Sequence, residues 1–416
     1  MESEKEIPKG WIVKKISELT ISYSGGTPST LNKEYWNNDD VPWIKSGEIK
    51  NNILKQSQTF ISKKGFENSS TKLYPPNTVL VAITGATTGK TAFLMIEACG
   101  TQNVFGILPC RHIIPKYMWY YMQFYYKKLI FKVIGTAQKH VNGTIIKNTP
   151  IIFPSLNEQK RIVEKIEELF SLVDSTKEIL EKIKILLKQY RQSLLKSAFE
   201  GKLTEYNLKQ TILSEIFMNR HGDFLPKSKM MGGIVAVYGG NGITGYHNES
   251  NVNDEGLVIG RVGAHCGNVH HFSGKSWITD NTIGLIPKIE MNTRFFLHQL
   301  KNMKLNELSG GSGQPYITGK ILSELILHTT NITEQNNIVA KIEEGFSLIE
   351  KNEQIVDSLL LQYNQIKNSI LKQAFEGKLV HQDPNDEPAE ILLQKIKQEK
   401  QLIQKQKPSR STKNVK

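Results

Sequence analysis

Cysteine is scarce in this chain of 416 residues, which carries only Cys99, Cys110 and Cys266. An odd, sparse set argues against a disulfide framework and for a reducing cytoplasm. Long apolar runs are missing too. None approaches the ~20 residues that span a bilayer, so no membrane association is expected. The opening MESEKEIPKGW is charged where a secretory signal would be apolar, which argues against an export leader. Acid is in short supply relative to base: Lys and Arg number 53 against 40 Asp and Glu, a net charge of +13. Such an excess favours a polyanionic partner, because each phosphate contact releases counterions. A solvated basic surface without a partner is the plain alternative. The length allows roughly two to four domains.

What is present is a repeat. Residues 158–203, EQKRIVEKIEELF…SLLKSAFEGKL, align without a gap on 334–379, EQNNIVAKIEEGF…SILKQAFEGKL. Each copy carries a seam with alternating steps of four and three, the period that keeps one face toward a partner helix. The first seam is Ile162, Ile166, Leu169, Val173, Thr176, Leu180, Ile183, Leu187, Tyr190 and Leu194. The second is Ile338, Ile342, Gly345, Ile349, Asn352, Val356, Leu359, Tyr363, Ile366 and Ile370. Thr176 and Asn352 occupy the same polar seam position, where such a residue would fix register. Gly201 and Gly377 are expected helix stops. Matched seams of this length predict pairing with each other, antiparallel because a globular segment separates them; burial of each helix in its own domain is the alternative.

The preceding segments also correspond. Gly85-Ala86-Thr87-Thr88-Gly89 matches Gly263-Ala264-His265-Cys266-Gly267, and Thr101–Pro109 matches Thr279–Pro287. Apolar runs at 79–83, 91–96, 233–238 and 256–260 read as strands. Helices are expected over 116–134 and 294–308. The class is α+β, as two tandem units each closed by a long helix.

Enzymatic motifs fail on this repeat. Thr84–Thr91, TGATTGKT, imitates a phosphate-binding loop, but Thr84 stands where the first glycine is needed, a strand is expected after Lys90, and the second copy has Asn268 in place of the lysine. Asp39, Asp40, Glu48 and Lys50 faintly suggest a nuclease metal centre, with nothing similar in the second copy. His265, Cys266, His270 and His271 lack the second ligand pair of a zinc site. Neither a glycine-rich cofactor loop nor an Asn-Pro-Pro-aromatic motif is present; Tyr74-Pro75-Pro76-Asn77 reads as a turn. No catalytic, cofactor-binding or metal-binding residue is expected.

Over essentially its whole length the chain resembles the specificity subunit of type I restriction–modification systems. The resemblance rests on Pro8–Trp11, Ser24–Ser29 before Glu34-Tyr35-Trp36, Val41–Glu48 and the strand-plus-glycine segment 79–91. It continues through Phe224–Ser228, Tyr238–His247, the EQ-x-x-IV-x-KIEE blocks at Glu158 and Glu334, and Asp383–Glu390. It implies two target-recognition domains, of mixed sheet and helix, joined by an antiparallel intramolecular coiled coil with pseudo-two-fold symmetry. The implied division is 1–155 and 210–330 for the recognition domains, 156–209 and 331–380 for the helices, and 381–416 for a basic tail, expected to fray.

The resemblance further implies that each domain reads one half of a bipartite, asymmetric sequence on double-stranded DNA. Two adenine methyltransferase subunits and restriction endonuclease subunits would be the partners, holding S-adenosylmethionine, ATP and Mg. The helix pair would act as a ruler for a gap of roughly one DNA turn. Base-reading candidates are loop residues with side chains suited to base edges. In the first domain these are Lys45, Ser46, Thr87, Thr88, Lys90, Gln138, Lys139 and His140. In the second they are Tyr238, Asn241, Tyr246, His247, Arg261, His265, Gln314 and Tyr316. A stand-alone DNA-binding regulator and an unrecognised nuclease are the rival readings.

Overall fold

The computed structural model describes residues 7–37, 39–134, 141–203, 207–230, 232–308 and 315–405. The candidates Gln138, Lys139, His140 and Gln314 lie outside the described residues. The longest described helices are α1 (Pro115–Ile134), α2 (Leu156–Phe199), α3 (Thr293–Asn302), α4 (Ile332–Phe375) and α5 (Ala389–Lys405). The chain divides into two compact units, residues 1–177 with 361–416 and residues 178–360. Each long helix therefore starts in one unit and ends in the other.

In the first unit a five-stranded sheet has the order Ser22–Ser24, Val104–Ile107, Val79–Ala82, Thr91–Leu94, Asn52–Leu54. In the second, a four-stranded sheet has the order Phe217–His221, Thr282–Pro287, Gly256–Gly260, Val269–Phe272. The duplication holds at the level of register. Ser22 pairs with Ile107 as Asn219 pairs with Leu285. In a separate two-stranded ladder, Ile12 pairs with Phe153 as Lys209 pairs with Thr329. A Cβ on Gly25 would lie 2.0 Å from the Gly100 carbonyl oxygen, and one on Gly222 would lie 2.0 Å from that of Thr279. Both sites need glycine because another backbone runs through the space a side chain would fill.

Strands Val79–Ala82, Val104–Ile107 and Gly256–Gly260 are apolar throughout because both faces are covered. Val79, Val81, Phe93, Phe105 and Ile107 are buried with Tyr117 and Trp119 of α1, Ile162 and Ile166 of α2, and Leu371 and Phe375 of α4. The second unit repeats this with Leu257, Ile259, Val269, Ile283 and Leu285 against Phe295 and Phe296 of α3 and Ile338 and Ile342 of α4. Helix α3 is shorter than the expected 294–308. It ends at Asn302, and Lys304 takes a left-handed φ of 50° before a 3-10 turn at Leu305–Leu308.

Local chemistry sets the ends of the long helices. The Ser155 hydroxyl accepts the Glu158 amide (3.1 Å), and the Asn331 side-chain oxygen accepts the Glu334 amide (3.0 Å), each satisfying a free helix donor. At the other ends Gly201 (φ 73°) and Gly377 (φ 69°) are left-handed. The Lys202 and Lys378 amides reach back to the Ser197 and Gln373 carbonyls at 2.9 Å, the glycine stop expected from FEGKL.

The helices pair antiparallel within each unit. In the first, Lys367 lies over the Phe170 ring and bonds Asp174 (2.6 Å), while Lys177 lies over the Tyr363 ring. In the second, Lys184 meets Asp357 (2.7 Å), Arg191 approaches Glu350 and Glu353 (both 3.7 Å), and Leu194 packs on Gly345.

The heptad seam is kept at most of its positions, Leu194 and Ile370 included, and is left at Thr176, Tyr190, Leu359 and Ile366. Ile162, Ile166, Ile338, Ile342, Ile349 and Val356 are buried, and Leu169, Val173, Leu180, Ile183 and Leu187 are half-buried. Leu359 and Ile366 are each 43% exposed and Tyr190 is 51% exposed. Their neighbours Leu360, Lys367 and Arg191 are the half-buried residues instead. The seam returns to buried positions beyond them, at Leu194 and Ile370, so these are local departures and not the steady outward rotation that drift from a 3.5-residue pattern would give. The polar pair is corrected as well. Thr176 and Asn352 each bond the carbonyl four residues earlier on their own helix, Leu172 and Leu348 (both 2.8 Å), so neither fixes register across the seam.

The expected frayed tail begins as an ordered helix. In α5, Ala389, Leu392 and Ile396 are buried, and Leu392 and Ile396 join the first unit's core. Their spacing puts one apolar stripe on that core. Before it, Asp386 is clasped by Arg161 (2.7 Å) and the Ser155 hydroxyl (3.0 Å). The Arg161 hydrogen bond is the main reason the Asp386 carboxyl titrates below its ordinary range.

Candidate nucleic-acid interface

The glycine turn is the shared element of the exposed surface. Gly85 (φ 83°) and Gly89 (φ 77°) match Gly263 (φ 75°) and Gly267 (φ 84°). The Gly89 amide bonds the Ala82 carbonyl (2.7 Å) as Gly267 bonds Gly260 (2.8 Å). Lys90 is followed by strand Thr91–Leu94, so no helix N-terminus faces this turn as it would in a phosphate loop.

In the first unit this turn joins a second loop. The Thr87 hydroxyl donates to the Ser46 carbonyl (2.7 Å), and the Asn51 amide donates to the Thr91 carbonyl (2.8 Å). Ser46 and Thr87 are thereby brought together, with Lys45 exposed beside Ser46 and Lys90 half-buried after the turn. Thr88 closes its own turn by donating to the Gly85 carbonyl (2.6 Å), so its hydroxyl proton is committed. Two carboxylates of the faint nuclease pattern, Glu48 and Asp40, have structural partners. Glu48 accepts the Lys45 amide (2.8 Å) and the Gln58 amide (3.1 Å), and Asp40 accepts the Lys63 amide (2.8 Å).

In the second unit, strands Val235–Gly239 and Gly242–His247 form a hairpin carrying Tyr238, Asn241, Tyr246 and His247. The hairpin tip meets the glycine turn, since a Cβ on Gly240 would lie 3.4 Å from that of His265. Tyr316 is drawn in by bridging to Val262, and the Ile317 amide donates to the Arg261 carbonyl (2.9 Å). Asn241, Tyr246, Arg261, His265 and Tyr316 are exposed. Two candidates are bound into the fold instead. Tyr238 is half-buried against Phe272, and burial raises its pKa. His247 bonds the Lys229 carbonyl (2.9 Å) and sets its ring edge-on to Trp277.

The histidine-rich segment sends its side chains apart, as alternation along a strand requires. Cys266 is buried with its thiol on the Arg261 carbonyl (3.4 Å). His271 bonds Glu255 (2.8 Å), whose carboxyl is held low first by the Thr293 hydroxyl and then by His271. His270 is half-buried at Gly242, and burial lowers its pKa. Among the described residues no cluster of three or more His, Cys, Asp or Glu is placed to hold a metal ion, and no helix is long and apolar enough to cross a membrane.

Sequence reasoning missed Lys55, Gln56 and Gln58, and marked Lys50 only in the faint nuclease pattern. With Lys45 they line a cavity of about 650 Å³. The signal was the alternation Gln56-Ser57-Gln58, in which the small residue turns inward.

These features define a class: a tandemly duplicated α+β protein whose units are each completed by halves of two antiparallel helices, with polar and basic side chains on matched glycine turns. The model of the type I restriction modification DNA specificity domain matches residues 8–185 and 209–361, and the chain belongs to that family. It is similar to the type I restriction enzyme EcoKI specificity subunit of Escherichia coli K12, at 26% identity over 98% of this chain and 99% of that one. The StySPI specificity subunit of Salmonella potsdam is also 26% identical, over 97% and 98%. The fold is similar to the crystal structure of the HsdS subunit from Thermoanaerobacter tengcongensis, with a TM-score of 0.68 at 19% identity, covering 91% of this chain and 99% of that one.

Proposed function

We propose that this chain is the DNA sequence-specificity subunit of a type I restriction–modification complex. Each unit reads one half of a bipartite, asymmetric duplex sequence, and the two shared helices set the gap between the halves. Two N6-adenine methyltransferase subunits dock on the chain, and restriction endonuclease subunits join them. Chemistry belongs to these partners, which hold S-adenosylmethionine, ATP and Mg; this chain binds and positions, and it works in the cytoplasm.

The observation that carries the reading is duplication with divergence. Register, glycine turns and helix ends repeat between the units, while the polar residues on the turns differ: half-buried Thr87 stands where exposed His265 does, and half-buried Lys90 where exposed Asn268 does. One scaffold presenting two different sets of hydrogen-bonding groups suits two unlike half-sites.

The test is to express the chain with its cognate methyltransferase and map methylated adenines in host DNA. A single gapped, asymmetric sequence is expected, with no cleavage or methylation by the purified chain alone. Cleavage by the isolated chain would make it a nuclease. Specific DNA binding without methyltransferase association would make it a regulator.

A further inference from the structure

The cavity in the first unit has rigid walls and unspent polar ends. One wall is the turn 45–50, where Glu48 ties its own start to the opposite wall by accepting both the Lys45 and Gln58 amides. The other wall is the strap 55–58. Its anchor, Ser57, is buried with its hydroxyl within hydrogen-bonding distance of the Trp43 and Thr59 carbonyls, at 3.0 and 2.8 Å. With Ser57 turned inward, Gln56 and Gln58 point outward and are exposed. The floor is held by Asn51, at a left-handed φ of 60°, whose side-chain oxygen accepts the Thr91 amide (2.9 Å).

Charge on this surface is one-sided. Lys45, Lys50 and Lys55 are exposed and form no ion pair among the described residues. Glu48, the acid lining the cavity, has each carboxylate oxygen on a backbone amide. The Thr87–Ser46 bond sets the glycine turn beside this loop. Unpaired lysines around a fixed polar groove are the electrostatic footprint of a phosphate backbone. Glutamine is a residue that bonds adenine bidentately through N6 and N7.

Resting on the specificity-subunit reading, we infer that this groove is where the first unit reads its half-site: Lys50 and Lys55 hold backbone phosphates, and Gln56 and Gln58 read an A·T pair in the major groove. The lysines position and the glutamines specify. Ser57 holds both glutamines in place before DNA arrives.

The test uses the full chain assembled with its methyltransferase subunits, reading the methylated sequence and the salt dependence of duplex binding. Gln56→Ala and Gln58→Ala are expected to relax an A·T position in one half-site by about fivefold or more, leaving the other half-site unchanged. Lys50→Ala with Lys55→Ala should weaken binding to every sequence alike and reduce the salt slope by about two. Unchanged half-sites in both glutamine variants, or relaxation in the half read by residues 210–330, would overturn the assignment. If the unaltered complex methylates no bipartite sequence, the specificity-subunit reading itself fails, which is a separate outcome.

Discussion

The cleft between the shorter helix and the long helix is built on the same positions in both units and filled differently. In the first, Phe93, Trp119, Tyr120 and Phe170 form a run of rings, with centroids 5.7 Å (Phe93–Trp119), 4.9 Å (Trp119–Tyr120) and 5.6 Å (Tyr120–Phe170) apart. The matching residues in the second are His271, Leu297, His298 and Phe346, of which His298 and Phe346 keep an edge-on contact at 5.5 Å. One ion pair is common to both, Lys116 with Glu167 and Arg294 with Glu343. Where the rings are lost, a cavity of about 390 Å³ opens, lined in part by His271, Leu297, His298 and Phe346. The helix-to-helix ion pair is thus held in common while the packing beside it has drifted. Close packing in one unit and an open cleft bordered by titratable side chains in the other can be told apart by measurement.

The largest difference is expected on truncation. Trp119 is 5% exposed, and Trp119→Ala should cost about 3–5 kcal/mol. Leu297 is half-buried beside a space that already exists, so Leu297→Ala should cost about 1–2 kcal/mol. Urea denaturation of the full chain checks this, and equal losses would break the comparison.

Acid sensitivity comes next. Burial, followed by the nearby Lys301, pushes the His298 pKa down to about 4. The folded state thus binds fewer protons than the unfolded one, in which histidine titrates near 6.5. The stability this represents is fully present above pH 6.5 and is lost as pH falls toward 4, to a total of about 3 kcal/mol. His298→Tyr, which installs the first unit's residue at this place, should flatten that slope. An unchanged urea midpoint between pH 7 and pH 5 in the unaltered chain would contradict it.

The smallest effects separate true seam from apparent seam. Leu359→Gln and Ile366→Gln should each change stability by less than about 0.5 kcal/mol, whereas Ile342→Ala, at a fully buried position, should cost about 2–5 kcal/mol. Comparable losses at Ile366 and Ile342 would restore the strict heptad.

How far the fold could be read from residues follows from this. The EQ-x-x-IV-x-KIEE and FEGKL blocks mark both long helices because caps and glycine stops are local chemistry. The glycine turns were legible because two copies share them. The local exposure at Leu359 and Ile366 was not, since their spacing is the same as that of the buried Val356 and Ile370. Leu392 and Ile396 were hidden in a Lys- and Gln-rich segment whose apolar stripe is short. At the candidate interface, residue type alone marked loop polar groups. It could not separate Arg261 and His265, which stay exposed, from His247 and Thr88, whose bonds are spent within the fold. Lys55, Gln56 and Gln58 belong to no motif and Lys50 only to the faint nuclease pattern, and the four become a group only through the anchoring of Ser57.

The most direct test of the central claim lengthens the shared helices. Insertion of four helical residues between 177 and 178 and four between 360 and 361 adds about 6 Å to each, against about 3.4 Å per base pair. Methylation mapped with the altered chain should show both half-sites unchanged and the gap between them longer by about one or two base pairs. The same gap, read by a chain that still binds its methyltransferase, would contradict the account.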